Sequence, residues 1–113
     1  MHEFSIALRV MEIAEEEVRN AGGGKINGLN LEVGELSGVM TDALEYAFLT
    51  LAEGKNMGDL RVNIEKITAM ARCRNCGREY VVKQFYETCP DCGAEQPEIV
   101  SGRELRLKSV AMV

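Results

Sequence analysis

The feature that most constrains this chain is its cysteine spacing. All four cysteines fall in one short stretch, Cys73 and Cys76 followed by Cys89 and Cys92, and each pair is followed by a glycine, Gly77 and Gly93. Two residues between thiolates let both sulfurs reach one ion, and four soft ligands at about 2.3 Å suit tetrahedral Zn²⁺. The glycines permit the positive φ that turns backbone amides toward the sulfurs. Pro90 stiffens the second turn. The start, Met1-His2-Glu3-Phe4, has no basic segment leading into an apolar one, so no secretory signal is expected. Without export, a disulfide framework is a poor reading of the same residues. A rubredoxin-like iron site is the main chemical rival, because Cys89-Pro90-Asp91-Cys92-Gly93 would suit it too. A redox dithiol fits less well, since two matched turns read as a closed site. A closed four-cysteine site keeps no open position for catalysis.

A chain of 113 residues makes one domain with at most a small satellite. Domains of this size bury well under about 70% of their unfolded surface, so a metal staple is useful. No apolar run approaches the length of a membrane span. A formal charge of −5 disfavours a nucleic-acid binder that works by counterion release. The stretch 72–94 carries four basic and three acidic side chains and, once four thiolates hold a Zn²⁺, no net positive charge. That composition predicts a zinc ribbon without a basic stripe.

Outside the ribbon, Phe4, Ala7, Leu8, Met11, Ala14 and Val18 recur with helical spacing, and Gly22-Gly23-Gly24 stops the helix. Leu29, Leu31 and Val33 alternate with polar residues as in a half-buried strand. A second helix is expected after Ser37-Gly38, capped by Thr41 or Asp42 with Asp42 and Glu45 as a capping box, an apolar stripe of Leu44, Ala47, Phe48 and Leu51, and Gly54 just past its end. Leu60, Val62 and Ile64 start a second strand, whose alternation slips near Glu65-Lys66 as at a bulge. Ile99–Val110 reads as a last strand. The order predicts an α+β fold: a three-stranded sheet with two helices on one face, a parallel strand–helix–strand crossover, and an inserted four-cysteine zinc ribbon. The expected division is a domain of residues 1–71 and 95–113 with a ribbon of residues 72–94. The scattered methionines read as core filling.

His2 is the only histidine, which removes Ser-His-Asp and Cys-His arrangements unless His2 itself serves. An initiator Met is normally kept before a bulky residue, so the expected start is the amine of Met1. That amine, the amide nitrogens of His2 and Glu3, and the His2 imidazole lie within three residues and can close five- and six-membered chelate rings. Square-planar nitrogen sites favour Ni²⁺ or Cu²⁺. The first N–H groups of a helix have no intrahelical partner, so deprotonating them breaks no ladder bond. Glu3 either adds a carboxylate ligand or, more plainly, complements the helix dipole. The residue-level readings are therefore a metal-delivery protein without catalysis or a zinc-ribbon interaction adaptor with an idle His2. No paired carboxylates and no nucleophile beside a base point to an enzyme.

Met1-His2-Glu3 opening an amphipathic helix, Gly34-Glu35-Leu36-Ser37, and the two late Cys-x-x-Cys pairs together resemble the HypA family, over effectively the whole chain. HypA proteins are nickel metallochaperones of [NiFe]-hydrogenase maturation. The resemblance implies nickel carried as transient cargo at Met1, His2 and Glu3, and structural zinc held by Cys73, Cys76, Cys89 and Cys92. It implies a HypB-type GTPase as partner and the hydrogenase large subunit as recipient, with urease also served by some members. A cytoplasmic location follows from that role. With one histidine, any further side-chain ligand is a carboxylate or thiolate, or comes from a partner.

Overall fold

The computed structural model of the protein describes residues 2–113. The chain forms two compact units. The first comprises Met1–Glu32, Val39–Glu65 and Arg106–Val113, and the second Val33–Gly38 and Lys66–Leu105. The cysteine-bearing unit thus draws on more of the chain than the residues around the cysteines.

Two helices carry the first unit. Helix α1, Glu3–Asn20, buries Ala7, Val10, Met11, Ala14 and Val18, at the spacing the sequence predicts. It ends where Gly22 takes φ +100° and the Gly23 amide bonds the Val18 carbonyl at 2.8 Å. That is a Schellman closure, and it needs a residue comfortable in the left-handed region. Helix α2, Thr41–Gly54, buries Leu44, Ala47, Phe48 and Ala52. The expected capping box does not form. Met40 is the N-cap, with no side-chain bond to the helix, and Asp42 accepts instead from the adjacent Ala43 amide at 2.9 Å. The closure at the other end also differs from expectation. Asn56, not Gly54, adopts φ +57°, and the Met57 amide returns to the Ala52 carbonyl at 2.7 Å. Asparagine tolerates that region because its short polar side chain bonds locally.

The strands are β1, Ile26–Gly34; β2, Arg61–Ile67; β3, Met70–Arg72; β4, Glu79–Val81; β5, Glu98–Ser101; and β6, Leu105–Met112. They form two three-stranded sheets, ordered β2-β1-β6 and β4-β3-β5. In the first sheet Asn30 receives a bond from Asn63 Nδ2 and gives one to Ser109 Oγ, both at 2.9 Å. Gly28 lies against Arg61 and Ala111. The offset from β1 to β2 is therefore constant, a parallel pair joined by the α2 crossover, whereas β1 and β6 run in opposite directions. Leu29 and Leu31 join the buried sides of α1 and α2 in the core of this unit.

Two stretches that read in sequence as single strands are not. The alternation of β2 does slip at Glu65-Lys66, both exposed. Beyond Ile67, however, the chain leaves the first sheet, and Ala69 and Ala71 belong to the apolar cluster of the second unit. The expected last strand is likewise two, β5 and β6 in different sheets, broken at Gly102 with φ +109°.

The second unit is built around Ala69, Ala71, Cys73, Tyr80, Val82 and Cys89, with Leu36, Ala94 and Ile99 packed against them. Strand β3 pairs antiparallel with both β4 and β5. The Gly34-Glu35-Leu36-Ser37 segment is explained by this packing. A β-carbon on Gly34 would lie 2.0 Å from the Gly102 carbonyl oxygen, and one on Gly102 would lie 2.6 Å from Ala69. Glu35 donates its amide to Ile67 at 3.0 Å and Leu36 donates to Gly102 at 2.7 Å. Backbone is pressed on backbone here, and only residues without side chains fit.

Candidate metal centres

The two cysteine turns are near copies of each other. Gly77 donates its amide to the Cys73 carbonyl at 3.0 Å, and Gly93 donates to the Cys89 carbonyl at 2.9 Å. The two glycines have φ +79° and +74°. Each turn is closed by a ladder bond from its first cysteine, Cys73 to Arg78 at 2.8 Å and Cys89 to Ala94 at 3.0 Å. The sequence glycines thus sit at the two positions that need the left-handed region.

These turns bring all four sulfurs together, with every ligand atom within 4.8 Å of the others. The Cys73 and Cys92 sulfurs are 3.5 Å apart, and those of Cys76 and Cys89 are 3.7 Å apart. Sulfurs at the corners of a tetrahedron around one ion at about 2.3 Å stand about 3.8 Å from each other, close to these two distances, so the cluster suits an ion held by four thiolates. No pair is bonded as a disulfide. Cys73 and Cys89 are buried, while Cys76 and Cys92 are exposed at the rim.

The electrostatics favour a cation. Cys73 Sγ receives the Asn75 and Cys76 amides, each at 3.4 Å. The Cys76 amide first, and then that of Asn75 against the cost of burial, hold the Cys73 thiol down at about 6. Cys76 is pushed up to about 12: the Arg78 amide pulls the other way, but burial and the neighbouring thiols dominate. A cluster that releases one proton easily and keeps the next is one in which a divalent ion replaces the protons. Asn75 Nδ2 reaches Cys92 Sγ at 3.7 Å, and Arg78 pairs with Asp91 at 2.6 Å, linking the two turns at their surface. Sequence reasoning misses both contacts. Arg78 and Asp91 are opposite in charge and follow or fall within the two Cys-x-x-Cys segments, which is the signal that would have found them.

The residues expected to hold nickel are placed unequally. Met1 lies outside the described residues. His2 is exposed immediately ahead of α1, and its carbonyl accepts the first helical bond from Ile6 at 2.9 Å. Glu3 is 7% exposed, so its side chain is inside the fold rather than in solvent. Its carboxylate accepts the Met40 amide at 3.0 Å. The chain's amino group first, then the amides of Met40 and of Glu3 itself, hold its pKa down at about 2. The structure therefore brings His2 and Glu3 to the head of α1, with the Glu3 carboxylate bonded to the start of α2 as well as drawn to the amino group. Among the described residues, the four cysteines form the one cluster of ligating side chains.

A short α+β chain that carries a four-thiolate cluster and a single histidine at the head of a helix defines a small metal-handling protein. The model of the family described as "Hydrogenase/urease nickel incorporation, metallochaperone, hypA" matches residues 1–112. A hydrogenase maturation factor HypA from Geotalea uraniireducens is 39% identical over 110 residues, covering 97% of each chain. One from Chlorobaculum tepidum is 41% identical over 109 residues, covering 96% of each. The solution structure of the Ni metallochaperone HypA from Helicobacter pylori superposes with a TM-score of 0.68 at 25% identity, covering all of this chain and 98% of that one. The chain belongs to the HypA family of nickel metallochaperones in hydrogenase maturation. Among the described residues, no helix is long and apolar enough to cross a membrane.

Proposed function

We propose that this protein binds Ni(II) through Met1, His2 and Glu3 and delivers it to a [NiFe]-hydrogenase large subunit together with a HypB-type GTPase, in the cytoplasm. It acts as a carrier, not a catalyst, while Cys73, Cys76, Cys89 and Cys92 keep a structural Zn²⁺. The observation that carries the reading is the position of His2, the only histidine, exposed where α1 begins. Amide nitrogens at a helix start are not needed by the helical ladder, so they are available to a metal that ionises them. The Glu3 carboxylate accepts the Met40 amide and is also drawn to the chain's amino group, which keeps it beside the other donors of this proposed site. A site made largely of backbone can be dismantled by moving a few residues, which suits an ion that must be handed on. Zinc is favoured at the cysteines by the tetrahedral spacing and the closed ligand set.

The experiment is nickel titration of untagged protein beside its His2→Ala variant and a version extended ahead of Met1, with zinc analysed in each. Stoichiometric nickel binding lost in the variant and weakened by the extension, with zinc unchanged, is the expected result. Equal nickel binding by all three removes the terminus from the mechanism and leaves an interaction adaptor. Iron in place of zinc in the isolated protein overturns the assignment of the sulfur site.

A further inference from the structure

Helix α1 turns Ala7, Met11, Ala14 and Val18 inward, yet Phe4 and Leu8, one turn apart on the adjoining flank, are 50% and 41% exposed. The same flank carries Glu15, which meets Lys55 at 3.3 Å just beyond α2. At the other end Glu3 meets Met40, the N-cap of α2. The two helices therefore run side by side in the same direction, and the Phe4–Leu8 flank is turned toward α2. On α2, Tyr46 is 73% exposed and Met40 is 60% exposed. With Leu49 of α2, five large apolar side chains thus lie exposed on one helix pair, beginning two residues from His2. Large apolar groups gathered this way on a surface mark interaction sites more often than chance exposure.

The charge around them is mainly acidic, the nearby cation Lys55 being paired with Glu15. The exposed charged residues of α2 are Asp42, Glu45 and Glu53, with no basic residue anywhere in that helix. The α1 flank adds Glu12, while Glu15 is paired with Lys55. The furrow between two parallel helices accepts the apolar ridge of a third, read as anchors at i, i+3 or i+4, and i+7. The acidic border selects a positively charged one and repels nucleic acid and anionic membrane alike.

We propose that the outer surface of α1 and α2, lined by Phe4, Leu8, Met40 and Tyr46, is a docking groove for a cationic amphipathic helix of a partner protein. The purpose of the groove, holding a partner next to the nickel-bearing terminus, rests on the function proposed above; the groove itself rests on exposure and charge. The test uses isotope-labelled full-length protein without nickel and three synthetic peptides. One is a Leu/Lys amphipathic helix, one the same composition scrambled so that no apolar face forms, and one a Leu/Glu helix. The expected result is that only the Leu/Lys helix binds, with amide shifts centred on Phe4–Leu8 and Met40–Tyr46. Leu8→Gln and Tyr46→Asp should each weaken it at least tenfold, with zinc content, nickel stoichiometry and thermal unfolding as in the parent. Tyr46→Asp is the safer variant, because the ring is mostly in water. Binding of the scrambled peptide with equal strength, or shifts centred elsewhere, overturns the proposal. So does a concentration-dependent dimer dissolved by Tyr46→Asp, which would assign the groove to a second copy. Because nickel is absent from the peptide assay, a failed nickel titration leaves the groove intact, and a failed peptide assay leaves the nickel site intact.

Discussion

The Glu3 carboxylate accepts the Met40 amide at 3.0 Å, so the residue next to the only histidine also anchors the N-cap of α2. One side chain thereby links the proposed metal terminus to the second helix. Replacing it separates two roles. Glu3→Ala should loosen the start of α2 as well as alter nickel binding. Glu3→Gln keeps an acceptor for Met40 and should leave the helix packing near native. Amide signals of Met40–Leu44 distinguish the two variants.

The surroundings of Glu3 set a pH dependence. The Glu3 carboxyl pKa is lowered from 4.5 to about 2 by the amino group first and the Met40 amide next. A depressed folded value means the stabilisation is present above the unfolded value and is lost as pH falls through the folded one. The contribution should be complete above about pH 5 and fade toward about pH 2. Glu3→Gln should lack this component. Hydrogen exchange at α1 and α2 amides is the measurement, since it reads this unit apart from the cysteine-bearing one.

Removing a thiolate should unmake the second unit's sheet. Cys89→Ser should reduce bound zinc from one equivalent to none and abolish exchange protection in β3, β4 and β5. Structural zinc contributes on the order of 10 kcal/mol in small zinc modules, far more than the apolar cluster around Tyr80 supplies by itself. Retained protection after chelation would show that the cluster folds without an ion.

Gly34→Ala and Gly102→Ala should both be severe. The added carbon would sit 2.0 Å from the Gly102 carbonyl oxygen in one case and 2.6 Å from Ala69 in the other. Gly102 also has φ +109°. Overpacking and backbone strain together should cost upward of about 3 kcal/mol, read as a lowered denaturation midpoint. Alanine at Gly54, with open space around it and φ outside the left-handed region, should be neutral or slightly stabilising.

Phe48→Ala should cost about 3–5 kcal/mol, because the ring is wholly buried and its removal leaves a cavity. Arg78→Ala should cost less than about 1 kcal/mol, since both Arg78 and Asp91 are roughly half exposed and water screens the pair. Denaturant melts of the two variants should differ by several-fold in lost stability.

What can be read from the sequence is whatever a local spacing determines. Cysteine pairs with trailing glycines point to the sulfur cluster, and helical periodicity places α1 and α2 to within a residue or two of their ends. The α+β class and the parallel crossover follow from element order. Long-range choices are not legible. Met40 caps α2 because Glu3, distant in sequence, supplies the bond; a box of Asp42 and Glu45 rests only on spacing. Apolar alternation runs on past Ile67 and through Gly102 without showing that the chain changes sheets there. The glycine of Gly34–Ser37 can be noted as a motif, but its cause, a carbonyl from residue 102, is visible only in three dimensions. The second small sheet escapes sequence reading because its strands are three and four residues long, too short for a period to register.

The sheet order β2-β1-β6 has a consequence for biosynthesis. The central strand β1 is made early, but its second neighbour β6 is translated only after the whole cysteine segment. Until β6 emerges, the first sheet stays one strand short and one edge of its central strand is left without its neighbour.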